Sequence, residues 1–410
     1  MNRLNRQQWL RIVDEAHITD AKIEAGLEWL RFTRPVSEHF AAQVRRLDLS
    51  GKRLAGWMHL LPDAIFNLMP FVEAGVTVRV GACNPDSTDP RVAAYLARHG
   101  VEVFDGRREP RHIYDDTLRR FAAGPLDAIC DMGGELIEAA TFAGTSVAGA
   151  LEATTTGLHR IRPLQLAFPV FDWNGITLKD ALHNRFHVGE ATWPAFEAIT
   201  GLSLFGRRVL VVGFGPVGRG VAERARDLGA VVTVAELDPV RQLEAMHFGC
   251  QALPLGPAIE EADIVVTATG RDGVLGEAEL ALCRDRAVVF NVGHSNREID
   301  VDWLDKHERR PMKDHIDRYS IGDRTLFLLN RGSMINLAFG SFAGSDSWDP
   351  FSAVIMRGLL WILTGGAANI PAGLHAYPPE LEREVATAAL AARARLAAPP
   401  RRPASSMDPI

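Results

Sequence analysis

A phosphate-binding turn is the clearest piece of chemistry in this sequence. VLVVGFGPVGRG sets Gly213, Gly215 and Gly218 directly after an apolar strand pattern and directly before a helical one, VGRGVAERARDLG. In that context Gly213 permits the tight turn, Gly215 lets backbone approach a pyrophosphate, and Gly218 allows close helix–strand packing. Pro216 and Val217 open the helix, whose N-terminal N–H groups and dipole favour phosphate charge. About twenty residues on, the next strand pattern ends in Glu236. A carboxylate there accepts from the ribose hydroxyls of NAD and excludes the extra phosphate of NADP, whereas the nearby Arg241 argues the other way. The cofactor expected is NAD.

Such a motif needs strands and helices to hold it. From about residue 52, short apolar runs alternate with amphipathic stretches (RLAGWMHLL, DAIFNLMPFVEAG, VTVRVGAC, RVAAYLARHG, VEVF), which is βαβαβ punctuation. The rhythm returns after residue 207 in RRVLVVGFG, VVTVAELD, DIVVTATG and AVVFNVG. The fold class expected is α/β, with two doubly wound Rossmann-like domains and a short C-terminal extension. Residues 1–188 with 342–380 are read as a substrate domain, 189–341 as the NAD-binding domain, and 381–410 as the extension. Its end, LAAPPRRPASSMDPI, has the composition of a disordered tail. The stretch Asp172 to Trp193 shows neither helical nor strand periodicity clearly and reads as a hinge.

Composition narrows the partners. At 410 residues, with 47% hydrophobic and 23% charged residues, the chain has material for two cores. It has no apolar run long enough for a membrane span and no secretory h-region at its start, so a cytoplasmic protein is expected. Cys83, Cys130, Cys250 and Cys283 lie far apart with no CxxC pair, which points away from a disulfide framework and from any metal site. The net charge of −6, without a basic cluster flanked by stacking aromatics, points away from nucleic acid and toward small molecules.

The segments around the cofactor motif, taken together, resemble the S-adenosylhomocysteine hydrolase family over roughly residues 50 to 380. AGWMHL carries His59, ACNPDSTDP carries Asn84, Ser87 and Thr88, and CDMGGEL carries the Gly133–Gly134 turn. EATTTGLHR carries Thr154, Thr155 and Thr156, and ITLKDALHN carries Lys179 and Asn184. NVGHSNREID carries Val292 and His294, and NRGSMINL carries Asn336. The resemblance implies that the three threonines, Asn184, Thr269, Val292 and Asn336 contact NAD, with His294 beside the nicotinamide. It places His59, Asp63, Ser87, Met132, Lys179 and His183 around an adenine nucleoside. It also implies a homo-oligomer, tetramer or dimer, although this chain ends in SSMDPI without the family's Lys/Tyr-bearing arm. Enzymes of this kind oxidise the ribose 3′-hydroxyl, remove the acidified 4′-hydrogen and expel the 5′ group. In the hydrolase, water then adds to the alkene before the ketone is reduced again. Lys179 is then the group that polarises the 3′-oxygen, since a desolvated lysine can lose its proton; an ordinary surface lysine is the alternative.

Departures from the family pattern concentrate around the substrate. The acid before the double glycine is Met132, with Asp131 directed to the other side of its strand. The second glutamate before the threonines is Ala153, the aspartate four residues after the lysine is His183, and the following cysteine is Val188. Leu61 replaces a threonine, and Asp63 shortens the glutamate that addresses adenine. The cofactor set stands while the substrate set is rewritten. The reading is an NAD-dependent lyase that eliminates water from the exocyclic hydroxymethyl group and leaves a 4′,5′-enol ether, as in angustmycin-type nucleoside antibiotics. A divergent S-adenosylhomocysteine hydrolase and an NAD-occupied regulatory paralogue without catalysis are the alternatives. Among the catalytic candidates Lys179, His183, His59 and His294, the 4′-proton base is taken as His183, with His59 next. A helical KDALHN segment would put His183 one turn after Lys179, while a packed helix histidine is the competing reading.

Overall fold

The computed structural model describes residues 20–107, 109–294, 296–337 and 348–397, so the tail 398–410 lies outside the described residues. The first group of apolar runs forms β1 (Arg53–Met58), β2 (Thr77–Ala82), β3 (Glu102–Phe104), β4 (Leu126–Asp131), β5 (Val147–Glu152) and β6 (Pro169–Asp172). The second forms β7 (Arg208–Val212), β8 (Val231–Ala235), β9 (Gln251–Ala252), β10 (Ile264–Thr267) and β11 (Ala287–Asn291), then β12 (Glu308–Lys313), β13 (Ile316–Ile321) and β14 (Arg324–Leu329). A last strand, β15 (Gly373–Ala376), returns to the edge of the first sheet.

The first sheet has the order β15-β6-β5-β4-β1-β2-β3 with every pair parallel. Helices cover both faces, which is why β1 and β4 are apolar and buried almost from end to end instead of alternating. The second sheet runs β12-β13-β14-β11-β10-β7-β8-β9. Its strands from β14 to β9 are parallel, but β13 is antiparallel to both neighbours, so this sheet is mixed instead of simply doubly wound. The connections after β12 and β13 are two residues each, Asp314–His315 and Gly322–Asp323. A link that short cannot carry the crossover that parallel neighbours require.

Strand order turns back between β1 and β4 in the first sheet and between β7 and β10 in the second. Open α/β sheets bind ligands at the carboxyl ends of strands beside such a switch. Both switch points here open onto one cleft.

From Thr177 onward the segment Asp172 to Trp193 is helical, where its sequence shows no clear periodicity. Leu178–Val188 is a π-helix that runs directly into the α-helix Gly189–Thr200. Its i→i+5 bonding spaces side chains more widely than an α-helix does, so a 3.6-residue pattern does not show in the sequence. The π-helix lies against the dinucleotide helix Pro216–Asp227 with almost no gap. A Cβ at Gly220 would fall 1.6 Å from the Arg185 carbonyl oxygen, and one at Gly189 would fall 2.5 Å from Gly220 carbonyl carbon. Trp193 Nε1 donates to Val221 O at 3.0 Å, and Arg185 Nε donates to Glu223 at 3.0 Å.

The helix Pro35–Arg45 is tied to the helix Asp349–Leu363 through the buried Asp349 carboxylate, which accepts from Val36 N at 2.9 Å and Ser37 N at 2.6 Å. The C-terminal extension begins as the helix Pro379–Ala397, with Leu381 and Val385 buried against the first core. No helix among the described residues is long and apolar enough to cross a membrane.

Gly220→Ala drives a methyl group into fixed backbone, so it is expected to destabilise the protein by roughly 1–3 kcal/mol. Thermal denaturation beside quantitation of co-purified NAD checks this. An unchanged melting temperature would show that the two helices separate without cost.

Candidate active site

The cleft holds a cavity of about 1180 Å³, beyond the upper end of ordinary single-ligand pockets. Strand ends of both sheets supply its wall. His59 follows β1, Met132 follows β4, Ala153 and Thr154 follow β5, Gly213 follows β7, Glu236 follows β8, Thr269 follows β10, and Val292 and His294 follow β11. Asp63 comes from the helix Pro62–Glu73, Thr155 and Thr156 from a helix start, and Lys179, His183 and Asn184 from the π-helix. Gly215, Pro216, Val217 and Asn336 complete the set that the sequence singles out.

Two singled-out residues stand back from the wall. Gly218 serves packing: its Cβ would fall 1.9 Å from Gly213 O. Ser87, read as a substrate contact, instead holds a histidine; its Oγ lies 2.8 Å from His59 Nδ1 and donates to Asn84 O at 2.9 Å.

The dinucleotide end is shaped by backbone. Gly213 sits at φ 94°, which favours glycine, and the helix starting at Pro216 points its free N–H groups into the cavity mouth. The Glu236 carboxylate accepts from Phe214 N at 2.7 Å, Leu237 N at 2.7 Å and Asp238 N at 3.1 Å. A carboxylate offers about four acceptor positions, so capacity for ribose hydroxyls remains. Arg241 stands 3.9 Å from Glu236 and 3.9 Å from Asp238, paired with both. Asn336 Oδ1 is buried without a hydrogen-bond partner on the same wall. A carboxamide, such as that of nicotinamide, is the kind of group that satisfies it, so the residues present fit NAD.

Two buried glutamates that the sequence reading passed over set the loops. Glu152 accepts from Gly133 N at 3.2 Å, Gly134 N at 3.0 Å, Thr154 N at 2.7 Å and Thr154 Oγ1 at 2.8 Å. Glu298 accepts from Thr269 N at 3.0 Å, Thr269 Oγ1 at 2.8 Å and Gly270 N at 2.7 Å. The signal for Glu152 was an acid closing a strand directly before a threonine turn; Glu298 is remote from its loop in sequence and carries no such signal. Arg34, equally unmarked, is buried and ion-paired with Asp63.

At the end of the cavity that carries Lys179, burial favours the neutral forms of the titratable groups. Burial lowers Lys179 to about 8, against the opposing pull of Asp180 and Glu152. Its Nζ is held by Asn184 Oδ1, the i+5 neighbour that a π-helix brings alongside. Burial first, and His294 second, lowers His59 to about 3, while burial and then Lys179 lower His294 to about 4 despite its bond to the Met132 carbonyl. The His59 and His294 rings meet edge to face at 5.6 Å. His183 is lowered well below the usual histidine value by burial, then by Lys179 and His187. Its ring stacks on Phe351 at 4.4 Å and meets Trp348 at 4.5 Å, and its buried Nδ1 has no partner. Both readings of this histidine thus have a footing: it is packed between aromatic rings, and it lines the cavity with a buried nitrogen that no described residue satisfies.

Two Rossmann-like sheets with a glycine-turn dinucleotide site, and a lysine and imidazoles that burial shifts downward in the cleft between them, are the features of a nicotinamide-dependent enzyme fold. Comparison with known proteins gives the family. The profile "S-adenosyl-L-homocysteine hydrolase, NAD binding domain" matches residues 184–342. The chain is 32% identical to the adenosylhomocysteinase of Thermoplasma volcanium over 378 residues, covering 88% of this chain and 91% of that protein. The adenosylhomocysteinase of Thermotoga maritima is also 32% identical, over 88% of this chain and 93% of its own. The S-inosyl-L-homocysteine hydrolase of Methanopyrus kandleri is 30% identical over 88% of each chain. The chain belongs to the adenosylhomocysteinase family and carries its NAD-binding domain.

Glu236→Ala is expected to weaken NAD binding by roughly 10- to 100-fold, the range for losing a charged hydrogen bond, and to narrow the preference over NADP. Titration of both dinucleotides into stripped protein checks it. Equal binding of each cofactor by mutant and wild type would remove Glu236 from the ribose.

Proposed function

We propose that this protein dehydrates an adenine nucleoside: oxidation of the 3′-hydroxyl, removal of the 4′-proton and loss of the 5′-hydroxyl as water give an exocyclic enol ether of the kind found in angustmycin-type antibiotics. The observation that supports this reading is the exchange of side chains around the sugar. Met132 and Ala153 stand on the cavity wall where the resemblance predicts carboxylates, while His183, its buried Nδ1 without a partner among the described residues, lines the same space. Bound NAD supplies the acceptor for the 3′-hydrogen and returns it at the end, so no net redox change results.

The chain's own groups account for the proton movements. Lys179, near its titration midpoint at neutral to mildly basic pH, accepts the 3′-hydroxyl proton as its free amine, with Asn184 fixing where Nζ sits. His183, neutral because it is buried, takes the 4′-proton once the adjacent ketone has acidified it, and the imidazolium so formed returns that proton to the departing 5′-hydroxyl, which leaves as water. A thioether and a methyl beside the sugar neither orient nor activate water, which favours stopping at the alkene. Hydrolysis of a homocysteine nucleoside is the second reading, favoured by identity to hydrolases along nearly the whole chain.

Incubation with S-adenosylhomocysteine, adenosine and psicofuranose-type adenine nucleosides, followed by mass spectrometry, separates the readings. Loss of water supports the dehydratase, homocysteine release replaces it with the hydrolase, and no conversion leaves a binding protein. His183→Ala is expected to reduce bound NAD on adding substrate yet accumulate the 3′-keto nucleoside, with no deuterium entering the 4′ position from solvent. Elimination at the wild-type rate would make His183 a packing residue and move the test to His59.

The pH dependence follows from Lys179. Its active form is the free amine, so the rate of nicotinamide reduction should rise with pH up to about 8 and level off above it. Below that point it falls roughly tenfold per pH unit. A stopped-flow profile that is flat from acidic to basic pH would exclude the lysine as the 3′ base.

A further inference from the structure

Among the described residues, four that line the cavity carry a buried polar atom without a hydrogen-bond partner: Asn67 Oδ1, His183 Nδ1, Asn336 Oδ1 and Trp348 Nε1. Buried polar atoms in folded proteins are nearly always paired, so unpaired ones on a cavity wall mark where a ligand supplies the partner. Asn336 suits the cofactor and His183 the sugar. Asn67 has no such claim on it, and neither the motif reading nor the family resemblance marks it.

Its position narrows what it meets. Asn67 is 4% exposed and lies one turn beyond Asp63 on the helix Pro62–Glu73, so both side chains share a helix face toward the cavity. Asp63 is already engaged by Arg34, which also lies 3.5 Å from Ser352 Oγ. The remaining wall of this end is apolar and aromatic: Leu61, Ala64, Trp348, Phe351 and Ile355. Apolar and aromatic side chains with an unpaired amide oxygen among them are matched by a planar heteroaromatic ring that presents a donor. Aminopurines carry that donor, and asparagine amides pair with an adenine through its exocyclic amino group and a ring nitrogen.

We propose that Asn67 is the specificity-determining residue for the base, its Oδ1 accepting from the 6-amino group of the purine. This rests on the nucleoside reading above and assigns to Asn67 the role that the family resemblance gave to Asp63. Asp63 instead pairs with Arg34.

Equilibrium binding to the NAD-loaded protein, followed by calorimetry, tests the assignment without requiring turnover. Adenosine, inosine and purine riboside, which lacks any 6-substituent, share one sugar and differ only at the edge in question. Wild type is expected to prefer adenosine over purine riboside by roughly tenfold, the size of a buried neutral hydrogen bond. Asn67→Leu should erase that preference while leaving purine riboside affinity and NAD content unchanged. Asn67→Asp, which accepts but does not donate, should keep adenosine and discriminate further against inosine, whose 6-oxygen meets a carboxylate. Equal loss of adenosine and purine riboside in Asn67→Leu, or an unaltered adenosine-to-inosine ratio in Asn67→Asp, overturns the proposal. Failure of wild type to bind any of the three overturns the nucleoside reading and this inference with it, whereas binding that ignores position 67 overturns the inference alone.

Discussion

Two buried carboxylates, one in each half of the molecule, hold the cleft in shape. Glu152 gathers the N–H groups of Gly133, Gly134 and Thr154, and Glu298 gathers those of Thr269 and Gly270. Each turns a loop of otherwise unsatisfied backbone donors into a rigid rim, because an ionised acceptor makes stronger hydrogen bonds than a neutral one. The two rims touch where Thr156 Oγ1 donates to Gly270 O at 3.0 Å. Burial and the adjacent Asp131 push Glu152 up from the usual carboxylate range, while its four donors pull the other way. Asp131 itself rises to about 7 through burial, with one oxygen unpartnered. The four donors around Glu152 favour its ionised form over the neutral one.

The same economy of charge governs the Lys179 end of the cavity. Lys179 and three imidazoles crowd one cavity, and Met132 and Ala153 offer nothing to balance their positive forms. Desolvation and mutual repulsion then favour the neutral state of each, as the lowered values of Lys179, His59 and His294 express. A neutral imidazole in such a site abstracts a proton readily, and the imidazolium it becomes, being disfavoured there, gives the proton up as readily.

The π-helix joins these two regions. One wide turn sets Asn184 against Lys179, and the next lays Arg185 on the dinucleotide helix, where Gly220 permits backbone contact. Reacting groups and cofactor turn are therefore positioned by one continuous element, with Trp193 anchoring its α-helical continuation. A shift of either helix is felt at Lys179.

Much of this was legible in the residues themselves. Apolar runs punctuated by glycine are sufficient for two layered sheets, since parallel strands buried on both faces must be apolar throughout. The glycine turn with Glu236 announces its ligand, because phosphate binding needs backbone and backbone needs glycine. Other features had no local signature. The hairpin of β12 and β13, exposed along β12, shows no apolar run of the kind that marks the other strands, and a π-helix carries no 3.6-residue pattern to detect. Ser87 looks like a ligand contact but is turned onto His59, and Arg34 meets Asp63 only because two helices far apart in sequence pack together. Sequence by itself determined which backbone can bind a dinucleotide; tertiary structure decided which side chains lose their solvent and which polar atoms are left unpaired, since both depend on neighbours brought in from distant segments.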